Sequence, residues 1–159
     1  MKRLLALCLI AAPVWAQLSP YSPPPLSFSM VQDNKGHIWM ATETGLLRAD
    51  AHSAFRFGKT HGLPHDHANS LHQTSDGTLW IGTGAGLGSY QGAHFRIWSR
   101  SLVKWIYPLT SNRVLIGGND EASLLRHEPG PQPAWELVPL PDIKISHQPA
   151  LDSKGHLWY

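Results

Sequence analysis

The stretch that decides the fold is DGTLWIGTGAGL, from Asp76 to Leu87, read against NKGHIWMATETGL, from Asn34 to Leu46. Each has a glycine turn, then an apolar residue and a tryptophan. A threonine follows three residues after the tryptophan, and a Gly-Leu pair closes the run. Trp39 and Trp80 lie 41 residues apart, and Trp158, after Lys154-Gly155, is close to two further steps downstream. A weaker copy falls between them in SNRVLIGGND, which aligns Leu115 with the tryptophan position and Asn112 with the turn glycine. A period of about 40 residues is the spacing of propeller blades, each made of four short strands.

Within the first copy the expected strands are Phe28–Gln32, His37–Thr42, Leu46–Ala49 and Ala54–Phe57. Asp76-Gly77 marks a tight hairpin, and Gly36 and Gly155 stand at the same place in their copies. The strand around each tryptophan is apolar on both faces, as Ile38 and Met40 alternate with Trp39 and Ala41. One-sided sheets alternate apolar with polar, so this strand is expected between two neighbours, as in a blade packed on both sides. Ala41, Gly82 and Gly117 share one position and are expected to make room for a bulky group of the adjacent blade. Gly45 and Gly86 are expected where a β-carbon would collide. The repeat positions with a structural part are therefore Trp39, Thr42, Gly45, Leu46, Gly77, Trp80, Thr83, Gly86, Leu87, Gly155 and Trp158. The expected class is all-β: a propeller of about three four-stranded blades plus the start of a fourth, in an incomplete ring.

The rest of the chain sets the context. Met1-Lys2-Arg3 followed by an apolar run from Leu4 to Trp15, with Val14 and Ala16 at the peptidase positions, reads as a signal peptide over residues 1–16. Residues 17–25 are a proline-rich lead-in, and residues 26–159 hold units near 26–60, 61–100, 101–140 and 141–159. The formal charge of +2 comes from 13 basic and 11 acidic residues, and Lys2 and Arg3 belong to the leader. The remainder is neutral, which gives no argument for nucleic-acid binding. The single cysteine, Cys8, is also in the leader, which excludes disulfides and zinc–cysteine sites from the rest.

Ten histidines are the unusual compositional feature. Four of them, His61, His65, His67 and His72, cluster in HGLPHDHANSLH with Asp66. The spacing across a proline-containing loop does not fix ligand geometry, so His61, His65 and His67 are weak metal candidates and loop histidines by expectation. Gly82 to Gly88 lacks the Lys-Ser/Thr pair and helix of a phosphate loop. Asp33, Asp76 and Asp152 recur at turns and are expected to accept local backbone bonds, not to do acid–base work. Arg48 with Arg126, and Arg56 with Arg96, fall at shared repeat positions, either pairing with acidic neighbours or facing an anionic sugar or peptide. No catalytic residue and no cofactor is expected.

The pattern D-x-x-G-x-[LI]-W-[IM]-[GA]-T-x-x-G-L, with His61-Gly62-Leu63-Pro64 upstream, resembles the two-component regulator propeller repeat. Ala41 replaces a glycine of that pattern, and the third copy lacks its tryptophan and turn glycine. The resemblance covers about residues 26–159. It implies a periplasmic sensor propeller of a bacterial histidine kinase, hybrid two-component protein or diguanylate cyclase. Any enzymatic activity would then lie in further C-terminal sequence, with the membrane link. The signal would be a small molecule, glycan or peptide. The rivals are an extracytoplasmic propeller lyase or hydrolase, and a truncated product without its own function. Three units and a fraction leave uncovered edges, so an N-terminal piece of a longer protein, or self-association, is expected.

Overall fold

A computed structural model describes residues 26–119, 121–128, 134–145, 147–153 and 156–158. The leader, the proline-rich lead-in and Gly155 lie outside the described residues. The first sheet is β1 (Ser27–Gln32), β2 (Ile38–Thr42), β3 (Gly45–Ala49) and β4 (Ala54–Phe57). The second is β5 (Ala68–Gln73), β6 (Leu79–Thr83), β7 (Gly86–Gln91) and β8 (His94–Ile97). The third is β9 (Trp105–Thr110), β10 (Arg113–Gly117), β11 (Ala122–Glu128) and β12 (Ala134–Pro139). Each is antiparallel and pairs its strands in chain order, and β13 (Ala150–Leu151) with β14 (Leu157–Trp158) forms a further short hairpin. Among the described residues the only helical element is a single 3-10 turn, Lys59–His61. The fold is all-β, three four-stranded blades and the beginning of a fourth.

The first strands β1, β5 and β9 of successive blades contact one another. They are the inner strands, and the sheets stack face to face behind them. Trp39 and Leu46 of the first blade pack with Leu71, Leu79 and Ile81 of the second. Trp80 and Leu87 of the second pack with Ile106, Val114, Ile116 and Leu125 of the third. Leu115 and Ala122 carry the same face of the third blade towards Ile145. Burying an indole of roughly 200 Å² stabilises the stack by about 5 kcal/mol before entropic costs. The doubly apolar anchor strand is thus explained: one face takes the tryptophan, the other receives its predecessor's.

Pairing registers also correct part of the sequence alignment. Leu46 pairs with Ala41, Leu87 with Gly82 and Ala122 with Gly117, so these three are equivalent. Arg48 pairs with Trp39, whereas the partner of Leu115 is Leu124, so Arg48 and Arg126 do not share a position. Arg56 pairs with Leu47 and Arg96 with Ser89, which lie on opposite faces of their strands. What recurs at the end of the fourth strand, or one residue past it, is apolar. Phe57 stacks on Trp39 at 5.6 Å and Trp98 packs on Trp80 at 5.2 Å. Leu140, whose N–H bonds the Ala122 carbonyl as that of Trp98 bonds Leu87, packs with Leu115.

The glycines at the Ala41 position are likewise required, at Gly82 in part for the expected reason and at Gly117 for a different one. A β-carbon on Gly82 would meet Ser70 Oγ and, at 2.7 Å, Val103 of the approaching third blade. On Gly117 it would run into the indole of Trp105, which belongs to the same blade. Trp105 pairs directly with Gly117, and it stands where Ser29 and Ser70 stand opposite Ala41 and Gly82. The third blade has moved its core tryptophan from the second strand to the first.

Candidate functional site

Two sets of polar residues recur at the ends of the blades that keep the repeat residues. At one end Thr42 and Thr83 are buried, and each hydroxyl donates to the carbonyl of the glycine three residues on, Gly45 at 2.6 Å and Gly86 at 2.8 Å. The same oxygens accept the N–H of Thr44 and Ala85. Gly45 and Gly86 have φ of +142° and +150°. Their missing β-carbons would strike the carbonyl oxygens of Phe57, at 2.6 Å, and Ser99. Thr-x-x-Gly is therefore a hydroxyl-locked hairpin.

At the opposite end a residue six positions before the tryptophan holds its indole. Trp39 Nε1 donates to Asp33 at 2.9 Å, Trp80 Nε1 to Thr74 Oγ1 at 3.2 Å, and Trp158 Nε1 to Asp152 at 3.3 Å. Asp76 is accordingly not the counterpart of Asp33: Thr74 is, and Asp76 matches Lys35. His37 and His156 each pair through Nδ1 with the aspartate four residues earlier, at 2.9 and 3.0 Å. Burial pushes the Asp33 carboxyl up, but bonds from the Trp39 indole, the His37 ring and the N–H groups of His37 and Lys35 outweigh it, leaving the pKa lowered. Asp76 is lowered in the same way. Burial opposes the shift, and the Trp135 indole, Thr74 and Thr78 overcome it. These carboxylates act as fixed acceptors, not as acids.

The inner strands enclose a cleft of about 500 Å³ lined by Phe28, Ser29, Asn69, Ser70, Lys104 and Gln148, with Leu71 and Ile106 behind. Phe28 is 52% exposed, a flat apolar surface beside polar groups. Asn69 spends its amide N–H on the Val103 carbonyl at 2.8 Å, and Ser29 Oγ accepts the Leu71 N–H at 3.2 Å. Ser70 Oγ is buried without a partner. Lys104 is exposed and takes part in none of the ion pairs found among the described residues. The cleft thus offers one ammonium group, amides, hydroxyls and an aromatic face, with no carboxylate in its lining.

The histidine loop does not converge. His61 Nδ1 accepts the Gly58 N–H at 3.1 Å, and His65 Nδ1 accepts the His67 N–H at 3.0 Å. The His67 ring meets Phe28 edge-on at 5.2 Å, and its Nε2 is buried without a partner. Burial lowers the pKa of His72 on β5. Among the described residues no three His, Cys, Asp or Glu side chains group to hold a metal ion. Of the other repeat residues, Trp39, Leu46, Trp80 and Leu87 are buried, whereas Trp158 on the last hairpin is 66% exposed. Gly77 has φ of +83° at its turn. The acceptor six residues before the indole is missed by the sequence reading, which expects the turn aspartates to accept backbone bonds. The D-x-x-G-x-x-W spacing of the first and last copies is the signal that could have found it. The cleft has no such signal, since its residues come from three units and share no motif.

Residues 62–85, from the His61 loop through Trp80 to the Thr83 hairpin, match the two-component regulator propeller family. The chain carries a two-component regulator propeller repeat. Its three blades superpose on the extracellular domain of BT3049 of B. thetaiotaomicron, described as a hybrid two-component system, with a TM-score of 0.64 and 18% identity. That match covers 87% of this chain and 21% of the other. The extracellular domain of BT4673 from the same organism, described both as a one-component and as a hybrid two-component system, matches at TM-scores of 0.65 and 0.64. Identity there is 20%, over 91% of this chain and 23% of the other. At these identities the likeness establishes the fold, and the chain spans less than a quarter of the extracellular domains it matches. No curated protein matches the chain.

Proposed function

We propose that the chain is the ligand-recognition part of a periplasmic sensor propeller, working by binding and not by chemistry. In this reading the two-component regulator repeats are scaffold. Their tryptophans, threonines and aspartates are consumed by packing and hairpin locks, which leaves the inner-strand cleft to meet the signal. The observation that carries it is the contrast between saturated repeat residues and free donors in the cleft. Lys104 and the exposed ring of Phe28 suit a polar small molecule, glycan or peptide, because an unpaired ammonium beside an apolar face rewards a ligand with matching acceptors.

The test uses the intact protein in its own host. Lys104→Glu and Asn69→Ala should each lower the signalling output at least tenfold with protein amounts unchanged, while substitution of exposed Lys59 should not. An output indifferent to both cleft variants overturns the cleft as recognition surface. Export is tested separately: mass spectrometry of the periplasmic fraction should find a mature N-terminus at Gln17.

A further inference from the structure

The junction between the first and second blades differs from the next one in the length of the outer hairpin packed against it. In the third blade the β11–β12 hairpin runs two residue pairs beyond its second-blade counterpart. β7–β8 ends at Gln91 paired with His94, and the equivalent pair, Arg126 with Glu136, is followed by His127 with Trp135 and Glu128 with Ala134. Trp135 thereby reaches back across the junction. It packs edge-on against Trp80 at 5.3 Å and donates from Nε1 to Asp76 at 2.8 Å. In the second blade the place of Trp135 falls to Ala93, in the Gly92-Ala93 turn.

Without that wedge, the first junction holds a groove of about 460 Å³. Asp33, Lys35, His37, Trp39 and Arg48 line it from the first blade, and Gln73, Asp76, Tyr90 and Gln91 from the second. The two carboxylates have no capacity left. Asp33 accepts from the Lys35 and His37 N–H groups on one oxygen and from Trp39 and His37 side chains on the other. Asp76 accepts from Thr74 and the Thr78 N–H on one oxygen and from Thr78 Oγ1 and Trp135 on the other. A carboxylate offers about four acceptor sites, and these are filled.

The cations have the opposite status. Arg48 lies over the rings of Trp39 and Phe57, 5.6 Å from each, and neither it nor Lys35 joins any ion pair among the described residues. The aromatic rings lie against the guanidinium while its N–H fork meets no acceptor among the described residues, the arrangement that suits a carboxylate. Gln73 and Gln91 donate to the Gly77 and Asp76 carbonyls, which leaves their amide oxygens as acceptors for hydroxyl groups. Tyr90 closes the wall 5.0 Å from Trp39.

We infer that this groove is a second binding site, distinct from the inner-strand cleft, for a small hydroxylated carboxylate of the sugar-acid class. Arg48 forks onto the carboxylate, Lys35 adds charge from the rim, and the glutamines take the hydroxyls. Its place between two blades makes the ligand a bridge across their junction.

Titration calorimetry of the intact protein with glucuronate, glucose and inorganic phosphate tests this. Glucuronate should bind at least tenfold more tightly than glucose and than phosphate. Arg48→Gln should weaken glucuronate at least tenfold and Lys35→Gln about threefold. Lys35 is an exposed turn residue, so its variant keeps the test valid if Arg48→Gln disturbs the aromatic stack. Lys104→Glu, in the other cleft, should leave glucuronate affinity unchanged. No glucuronate binding, equal affinity for glucose or for phosphate, or binding untouched by both groove variants overturns the site. Loss of binding in Lys104→Glu alone would place the carboxylate in the inner cleft, which also overturns it.

Discussion

The second and third blades reach the same fold from different sequences. In the second, Trp80 on the anchor strand fills the interface, Trp98 covers it, and Gly82 gives way to Ser70 and Val103. In the third, the anchor is Leu115, the cover is Leu140, and the missing volume is supplied by Trp105 from the inner strand, laid over Gly117. What has to be preserved is the filled volume between neighbouring sheets, not the strand that provides it. The hydrogen bonds are less portable. Trp80 has Thr74 as acceptor, whereas the Trp105 indole N–H is buried without a partner. Thr83 locks its hairpin, and Gly118 in the third blade has no hydroxyl to do so; its N–H bonds the Glu121 carbonyl instead.

The largest effects should come from the core tryptophans of the two blades. Trp80→Ala should destabilise by about 3–5 kcal/mol in urea unfolding of the intact protein, the usual cost of a cavity left by a large aromatic. Trp105→Ala should cost a similar amount, while Leu115→Ala stays nearer about 2–3 kcal/mol. If Leu115→Ala costs more than Trp105→Ala, the core of the third blade is not where this comparison puts it.

Next come the backbone constraints. Gly86→Ala should cost about 2–3 kcal/mol, because a residue with φ of +150° must also push its β-carbon into the Ser99 carbonyl. Gly77→Ala, at φ +83° with nothing within 4 Å of the added carbon, should cost only about 1 kcal/mol. Equal melting shifts for the two would show that dihedral strain, not collision, decides the hairpin glycine. Thr83→Val should follow at about 1–2 kcal/mol through loss of the 2.8 Å bond to Gly86. Hydrogen exchange at the hairpin amides should then rise to the rate seen at the Gly118 turn, which has no such lock.

These contrasts show what a sequence displays and what it hides. The first and second blades were legible because tryptophan, threonine and glycine are each demanded by one local geometry, an indole slot, a hydroxyl lock and a positive φ. Strand limits shifted by only one residue, as with Ile38 for His37. The third blade kept its spacing but hid its core, because Trp105 precedes its unit's anchor by ten residues instead of occupying it. Arginine recurrence misled for a related reason. Arg48 and Arg126 follow similar tripeptides, but the two-residue offset in β11 places one over an indole and the other between Glu128 and Glu136. The candidate site was least visible. Lys104, Asn69 and Phe28 are ordinary residues in sequence, and the groove arises from a hairpin that is two pairs shorter than its neighbour.

The smallest effect concerns acid, and it too separates the blades. Asp33 and Asp76 have folded pKa values below the reference of 3.8, since the bonds they accept outweigh burial. A depressed carboxylate contributes stability that is complete above the unfolded pKa and is lost as pH falls through the folded one. Between neutral pH and about 5 neither carboxylate should change its charge. Below the reference value the indole N–H groups of Trp39 and Trp135 should lose their protection against exchange, since both donate to these carboxylates. The indole of Trp105 has no acceptor to protonate, so its exchange should show only the intrinsic pH dependence. Asp33→Asn should remove the acid response at Trp39 and leave that at Trp135 intact, because the Trp135 indole donates to Asp76 and not to Asp33. Coincident loss at all three indoles would mean that acid unfolds the blades as one unit, and the difference between junctions would then be one of packing alone.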